Sequence, residues 1–180
     1  MIVFSFDVES LGLYGEGFAV GAVVFDDGKE VDSFFASCPV DRLDSYKDCP
    51  EETIKWLQAN VFPTLSEPKY QTAREVREAF WGFYQTWKHA NVFVADCGAP
   101  VEAYFLRQCI LDKHQERIWK APYPLHELGT LLFMRGKDPT AYYERTKEEL
   151  PAHNPVCDAR QSGRLWIENC QPNNTNIKES

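Results

Sequence analysis

The chain opens on Ile2 to Val8, where Ile2, Phe4, Phe6 and Val8 alternate with polar Ser5 and Asp7, and Glu9 continues the series. Successive side chains of a β-strand point to opposite faces. The alternation therefore predicts a strand with one wholly apolar face and with Ser5, Asp7 and Glu9 on the other. Phe18 to Phe25 and Glu30 to Ser37 are further apolar runs, separated by the hairpin signal Asp26-Asp27-Gly28-Lys29. These three segments predict an antiparallel start to a sheet.

The period then lengthens. Thr72-Ala-Arg-Glu75 is a capping-box sequence, and Val76, Phe80, Phe83 and Trp87 follow at helical spacing as a core stripe. A short strand, Val92 to Ala95, precedes a helix from near Pro100 to about residue 114, an order that favours a crossover connection. Leu125 to Met134 reads as another helix, with His126-Glu127 at its start. Asn154-Pro155 has the form of an N-cap followed by proline at the first helical position. Val156, Ala159, Gly163, Trp166 and Cys170 then make one packed stripe along a helix over 155–170. The sum is an α/β sandwich around a mixed sheet, in a single domain over residues 1–170. Gln171 to Ser180 is polar and reads as a disordered tail.

The chemistry lies where polar residues interrupt this pattern. Asp7 and Glu9 project from one strand face, close enough to share a metal. Two ionised carboxylates cannot be buried together unpaired, so a cation or an exposed strand end must account for them. Asp158 lies off the apolar stripe in the first helical turn, where the dipole favours a carboxylate, and His153 sits just before the cap. The segment Ala95-Asp96-Cys-Gly-Ala-Pro-Val-Glu102 adds two more acids. Each feature alone has an ordinary explanation: a solvated strand end, a surface histidine, a turn-capping Asp96, a first-turn Glu102. Together, four carboxylates can hold two divalent cations while a histidine takes a proton from water, a constellation suited to cutting phosphodiesters.

The blocks Phe-Ser-Phe-Asp7-Val-Glu9-Ser-Leu-Gly, Val-Phe-Val-Ala-Asp96 running into Val-Glu102-Ala-Tyr-Phe-Leu, and His153-Asn-Pro-Val-Cys-Asp158-Ala-Arg resemble the DEDDh family of 3′-5′ exonucleases in order, spacing and context. Residues 50 to 56, Pro-Glu-Glu-Thr-Ile-Lys-Trp, are similar to a segment in that family's small exoribonuclease branch. The resemblance implies an RNase H-like fold, with a mixed five-stranded sheet flanked by helices. It also implies removal of residues from the 3′ end of single-stranded RNA or DNA. Two Mg²⁺ or Mn²⁺ ions would be held by Asp7, Glu9, Asp158 and either Glu102 or Asp96, with His153 as general base. One departure stands out. Where the family's middle block ends in Phe-Asp, this chain has Val101-Glu102, so Glu102 is the match in register and Asp96 the competing ligand. The same resemblance puts Leu11, Leu13 and Tyr14 under the terminal bases, where aromatic stacking would help, although they equally suit a strand-to-loop packing cluster.

Bulk properties narrow the class without choosing the reaction. The 180 residues are 44% hydrophobic, enough for one domain with a good core. No apolar run approaches membrane-spanning length, and acids within the first ten residues do not suit a secretory signal, so a cytoplasmic location is expected. The six cysteines include no Cys-x-x-Cys pair and read as reduced, partly buried thiols. A net charge of -8 argues against a large basic groove and for weak, salt-sensitive binding, with Arg42, Lys69, Arg107, Arg160 or Arg164 left to touch phosphates locally. Whether the chain forms a homodimer is open. The rival reading is a nucleic-acid-binding module of the same fold that has lost turnover, motivated by the irregular middle block.

Overall fold

A computed structural model describes residues 1–170; the expected disordered tail lies outside the described residues. Five strands form one mixed sheet in the order β3-β2-β1-β4-β5. β1 (Ile2–Ser10), β2 (Gly17–Asp26) and β3 (Lys29–Ser37) are antiparallel neighbours, as their patterns predict. Asp27 and Gly28 alone make the β2–β3 turn, both at positive φ (46° and 78°), the backbone such two-residue hairpin loops require. β4 (Val92–Ala95) and β5 (Leu125–Glu127) continue the sheet in parallel with β1.

Among the described residues six α-helices cover the two faces. On one lie α1 (Glu51–Asn60), α2 (Ala73–Trp87) and α3 (Val101–Asp112), with the short α4 (His114–Arg117) following α3. Phe4, Phe6 and Val8 of β1 face this layer, and Phe4 meets Phe80, Phe83, Tyr84 and Phe93 at ring-centroid distances of 5.6–6.3 Å. α2 begins on the capping box read from the sequence: the Thr72 hydroxyl accepts from the Glu75 amide, and the Glu75 carboxylate accepts from the Thr72 amide. α1 has no counterpart in the sequence pattern, because Leu57 is its one fully buried residue and its apolar stripe is correspondingly thin.

On the other face, α5 (Leu128–Met134) and α6 (Pro155–Cys170) enclose a smaller core of Val3, Val23, Phe25, Val94, Leu128, Leu132, Ala159 and Trp166, among others. Two glycines bring α6 against the sheet. A Cβ on Gly21 of β2 would stand 2.2 Å from the Pro155 carbonyl carbon and the Val156 nitrogen, and one on Gly163 would stand 2.4 Å from the Phe25 ring. The backbone of α6 therefore approaches β2 more closely than any side chain would permit.

The helix expected over 125–134 needs correction. Its first three residues pair with β4 as the edge strand β5, and only residues 128–134 are helical. Three residues are too few to show a period, and the apolar leucines that follow extend the helical pattern backwards through them. All six cysteines are free thiols, as expected. Among the described residues no helix is long and apolar enough to cross a membrane.

Candidate active site

β1 and β4 run parallel, so their carboxyl ends reach the same edge of the sheet. The register pairs Ser5 with Val94, and its continuation sets Asp96, just past β4, level with Asp7. This edge is where open α/β sheets place their sites. Asp7 and Glu9 leave β1 on the α6 side, the same parity as Ser5, which is buried under Gly163. α3 contributes Glu102 from its first turn, buried at 6% exposure, whereas Asp96 is solvent-exposed.

α6 supplies the remaining pieces through its N-terminus. Asn154 caps the helix, its Oδ1 accepting from the amides of Val156 (3.1 Å) and Cys157 (3.3 Å). His153 is in the left-handed region at φ 61°, a conformation costing a non-glycine residue roughly 1–2 kcal/mol. Both its backbone groups are held: the amide donates to Asp158 Oδ2 (3.1 Å), and the carbonyl accepts from Thr64 Oγ1 (2.7 Å). Thr64 also accepts through its own carbonyl from Asn154 Nδ2 at 2.8 Å. The backbone at His153 is thus clamped on both sides. Its exposed ring meets Trp56 of α1 edge-on, with centroids 5.1 Å apart. Ligand atoms of Glu9, His153 and Asp158 all lie within 4.8 Å of one another.

The electrostatics of the cluster are those of acids crowded out of water. Burial, then Asp158, Glu102, Glu9 and Asp96, hold the Asp7 carboxyl well above the ordinary range. Burial first, then Asp158 and Glu102, raises Glu9 to about 8. Glu102 is pushed to about 7 by burial, opposed by backbone hydrogen bonding at its own amide and at Val8. Asp158 is raised too, again chiefly by burial, and Asp96, although its side chain reaches solvent, is raised by the partial desolvation of its carboxyl and then by Asp158. Neighbouring charges that make each other hard to ionise are what a bound cation relieves, and the hard oxygen donors suit a hard divalent ion.

All five predicted acids and His153 therefore meet at one edge. Glu102 is placed among Asp7 and Glu9, while Asp96 comes from the Asp158 side, beside Arg145. The loop after β1 divides the three residues assigned to base contact. Leu11 is packed in the core, whereas Leu13 and Tyr14 stand 65% and 81% exposed. That loop is braced by Arg77, which binds Glu16 at 3.2 Å and the Asp112 carboxylate through two donors at 2.6 and 3.1 Å. Two of the arginines offered as phosphate contacts are otherwise engaged: Arg160 with Glu30, and Arg164 with Glu149 and Glu168. Three neighbours of the site receive no role from the sequence: Trp56, Thr64 and Arg145. Trp56 ends the segment that resembles the small exoribonucleases; Thr64 and Arg145 carry no local signal.

No family model and no curated protein matches the chain. Among solved structures it is similar to exonuclease I from Methylocaldum szegediense, at 11% identity and a TM-score of 0.57, over 93% of this chain and 40% of that one. The match thus spans well under half the length of that exonuclease. Exonuclease X in complex with 5′-overhanging duplex DNA aligns at 15% identity and a TM-score of 0.48, over 93% of this chain and 90% of the other. The nuclease domain of 3′hExo, a DEDDh family member bound to rAMP, aligns at 13% identity and 0.48, over 93% and 89%. The mixed five-stranded sheet and its flanking helices give this chain the fold found in the matched part of exonuclease I, and the residues of its DEDDh resemblance lie together at one edge of that fold.

Proposed function

We propose that the protein is a metal-dependent 3′-5′ exonuclease of the DEDDh type, hydrolysing the terminal phosphodiester bond of single-stranded RNA or DNA. The observation that carries this reading is the meeting of Asp7, Glu9, Glu102, Asp158 and His153, drawn from β1, α3 and the N-terminus of α6, at one strand edge. Asp7, Glu9, Asp158 and Glu102 would hold two Mg²⁺ or Mn²⁺ ions, whose chemistry is to polarise the phosphate and acidify water. Asp96 supports the cluster from its exposed side. His153 takes the proton of the attacking water, a role that suits an exposed ring whose backbone is fixed at both its amide and its carbonyl. Leu13 and Tyr14, exposed on the loop that follows Glu9 in the chain, would offer apolar surface for the terminal bases.

The test is a 5′-labelled single-stranded oligonucleotide incubated with Mn²⁺, Mg²⁺ or excess chelator. Stepwise shortening from the 3′ end, with release of nucleoside 5′-monophosphates only when metal is present, is the expected result. His153→Ala should lose about 10²–10⁴-fold in turnover while still binding Mn²⁺. Retention of the oligonucleotide without shortening would instead identify a binding module. Cleavage of a circular substrate would identify an endonuclease.

A further inference from the structure

A guanidinium stands among the acids. Arg145 Nη1 lies 2.5 Å from Asp158 Oδ1 and 3.0 Å from the carbonyl oxygen of Glu149. Among the described residues it is the only lysine or arginine in an ion pair with any of the five clustered carboxylates. With its partner oxygen on the other side bound by the His153 amide, the Asp158 carboxylate is gripped at both oxygens.

The chain invests heavily in this placement. Residues 143–150 form a strap laid along α6, and the helix holds it by one face. Cys157 donates to the Leu150 carbonyl (3.2 Å), Arg160 to that of Glu148 (2.8 Å), Gln161 to that of Tyr143 (3.0 Å) and Arg164 to that of Glu144 (3.0 Å). These positions are spaced by three, one and three residues, so they share a side of the helix. Glu149, 1% exposed, closes the strap from within through Arg164 and a capping box with Thr146. This lacing delivers Arg145 to the acids. Its side chain is 13% exposed, and among the described residues only Nη1 has a hydrogen-bond partner, which leaves Nε and Nη2 open to an acceptor. Beside it lies a polar cavity of about 170 Å³, bordered by Asp96, Tyr143, Gln161 and Ser162. Guanidinium donors left facing such a cavity can exchange water for an anionic acceptor, a charge-assisted bond stronger than a neutral one.

We propose that Arg145 is a substrate-contacting residue. Its Nη1 stays on Asp158, and its remaining donors bind a non-bridging oxygen of the phosphate presented to the acidic cluster. This rests on the reading of the site as a phosphodiesterase. It assigns part of the positive charge that the reaction needs to the protein itself, in a forked geometry suited to phosphate. A fixed cation also offsets part of the negative charge that the clustered acids of this chain, with its net charge of -8, present to a polyanion.

The experiment is calorimetry on the wild type, Arg145→Met and Arg145→Lys, first with Mn²⁺ alone, then in Mn²⁺ with AMP and with adenosine. Arg145→Met should bind Mn²⁺ at least as tightly as the wild type, because a positive charge beside Asp158 is gone. It should lose about 10–100-fold in AMP affinity, the scale of a hydrogen bond to a charged group, with adenosine unaffected. Arg145→Lys should fall between the two. A purely structural brace would lower Mn²⁺ affinity and melting temperature together and leave the ratio of AMP to adenosine affinity unchanged; that pattern overturns the assignment, as does a wild type that prefers AMP no more than adenosine. An Arg145-dependent AMP preference in a protein that shortens no oligonucleotide would refute the nuclease reading and leave the phosphate contact standing.

Discussion

Gly21→Ala tests whether the close approach of α6 to the sheet builds the site. The added methyl would begin 2.2 Å from two backbone atoms of Pro155 and Val156, about 1.2 Å inside the 3.4 Å at which ordinary contact starts. The obstacle is backbone in the first turn of a helix, so no rotamer change relieves it, and either β2 or the helix must move. Overpacking of this kind costs about 1–3 kcal/mol, and a backbone obstacle belongs in the upper part of that range. For a chain of this length the loss corresponds to a fall of roughly 5–10 °C in melting temperature. The same displacement acts on His153 and Asp158, which flank the contact, while Asp7, Glu9 and Glu102 stay on other elements. Misplacement by about 1 Å is enough to cost on the order of 10²-fold in rate. Thermal unfolding and oligonucleotide turnover well below the midpoint should therefore both fall. Gly82→Ala is the control: nothing lies within 4 Å of its added methyl on an exposed face of α2, so it should stabilise by about 0.5–1 kcal/mol and leave turnover alone. A Gly21→Ala protein with the wild-type midpoint and rate would show that the helix does not need this approach.

Further expectations concern the acids and their supports. Glu102→Gln should reduce turnover by orders of magnitude and Asp96→Asn much less, since Glu102 is buried beside Asp7 and Glu9 while Asp96 is exposed; the reverse ranking in steady-state assays would transfer the ligand role to Asp96. In excess chelator the folded protein holds its protons on Glu9 (about 8) and Glu102 (about 7) to higher pH than the unfolded chain, whose glutamates titrate near 4.5. Their contribution to stability is therefore complete below pH 4.5 and is lost as pH rises through 7 and 8. Glu9→Gln, which cannot ionise, should consequently melt above the wild type at pH 8 and near it at pH 4.5, and Mn²⁺ should stabilise the wild type most at the higher pH; a gap independent of pH would contradict the assignment. Arg77→Met leaves the Asp112 carboxylate, 11% exposed, without its partner, and should cost about 3–5 kcal/mol in urea unfolding.

What the sequence determined by itself was the local grammar. Alternation along β1 placed Phe4, Phe6 and Val8 on one face and Asp7 and Glu9 on the other, because a strand leaves each side chain no third direction. The Thr72–Glu75 box and the Asn154 cap were legible because capping bonds join residues only two to four apart in the chain. The order of the acidic blocks was legible as a family resemblance, though not the choice between Glu102 and Asp96, which depends on the burial each receives from the folded chain. β5 was hidden because its three residues make sense only beside β4, and α1 because a single fully buried leucine leaves almost no stripe. Tertiary structure alone decided the company of the site. Thr64 reaches His153 across 89 residues, Trp56 meets the histidine ring from another helix, and Arg145 arrives on a strap whose bonds run to α6. Such contacts are set by which backbones lie close enough to touch, and here that closeness follows from the absence of a side chain at Gly21 and Gly163.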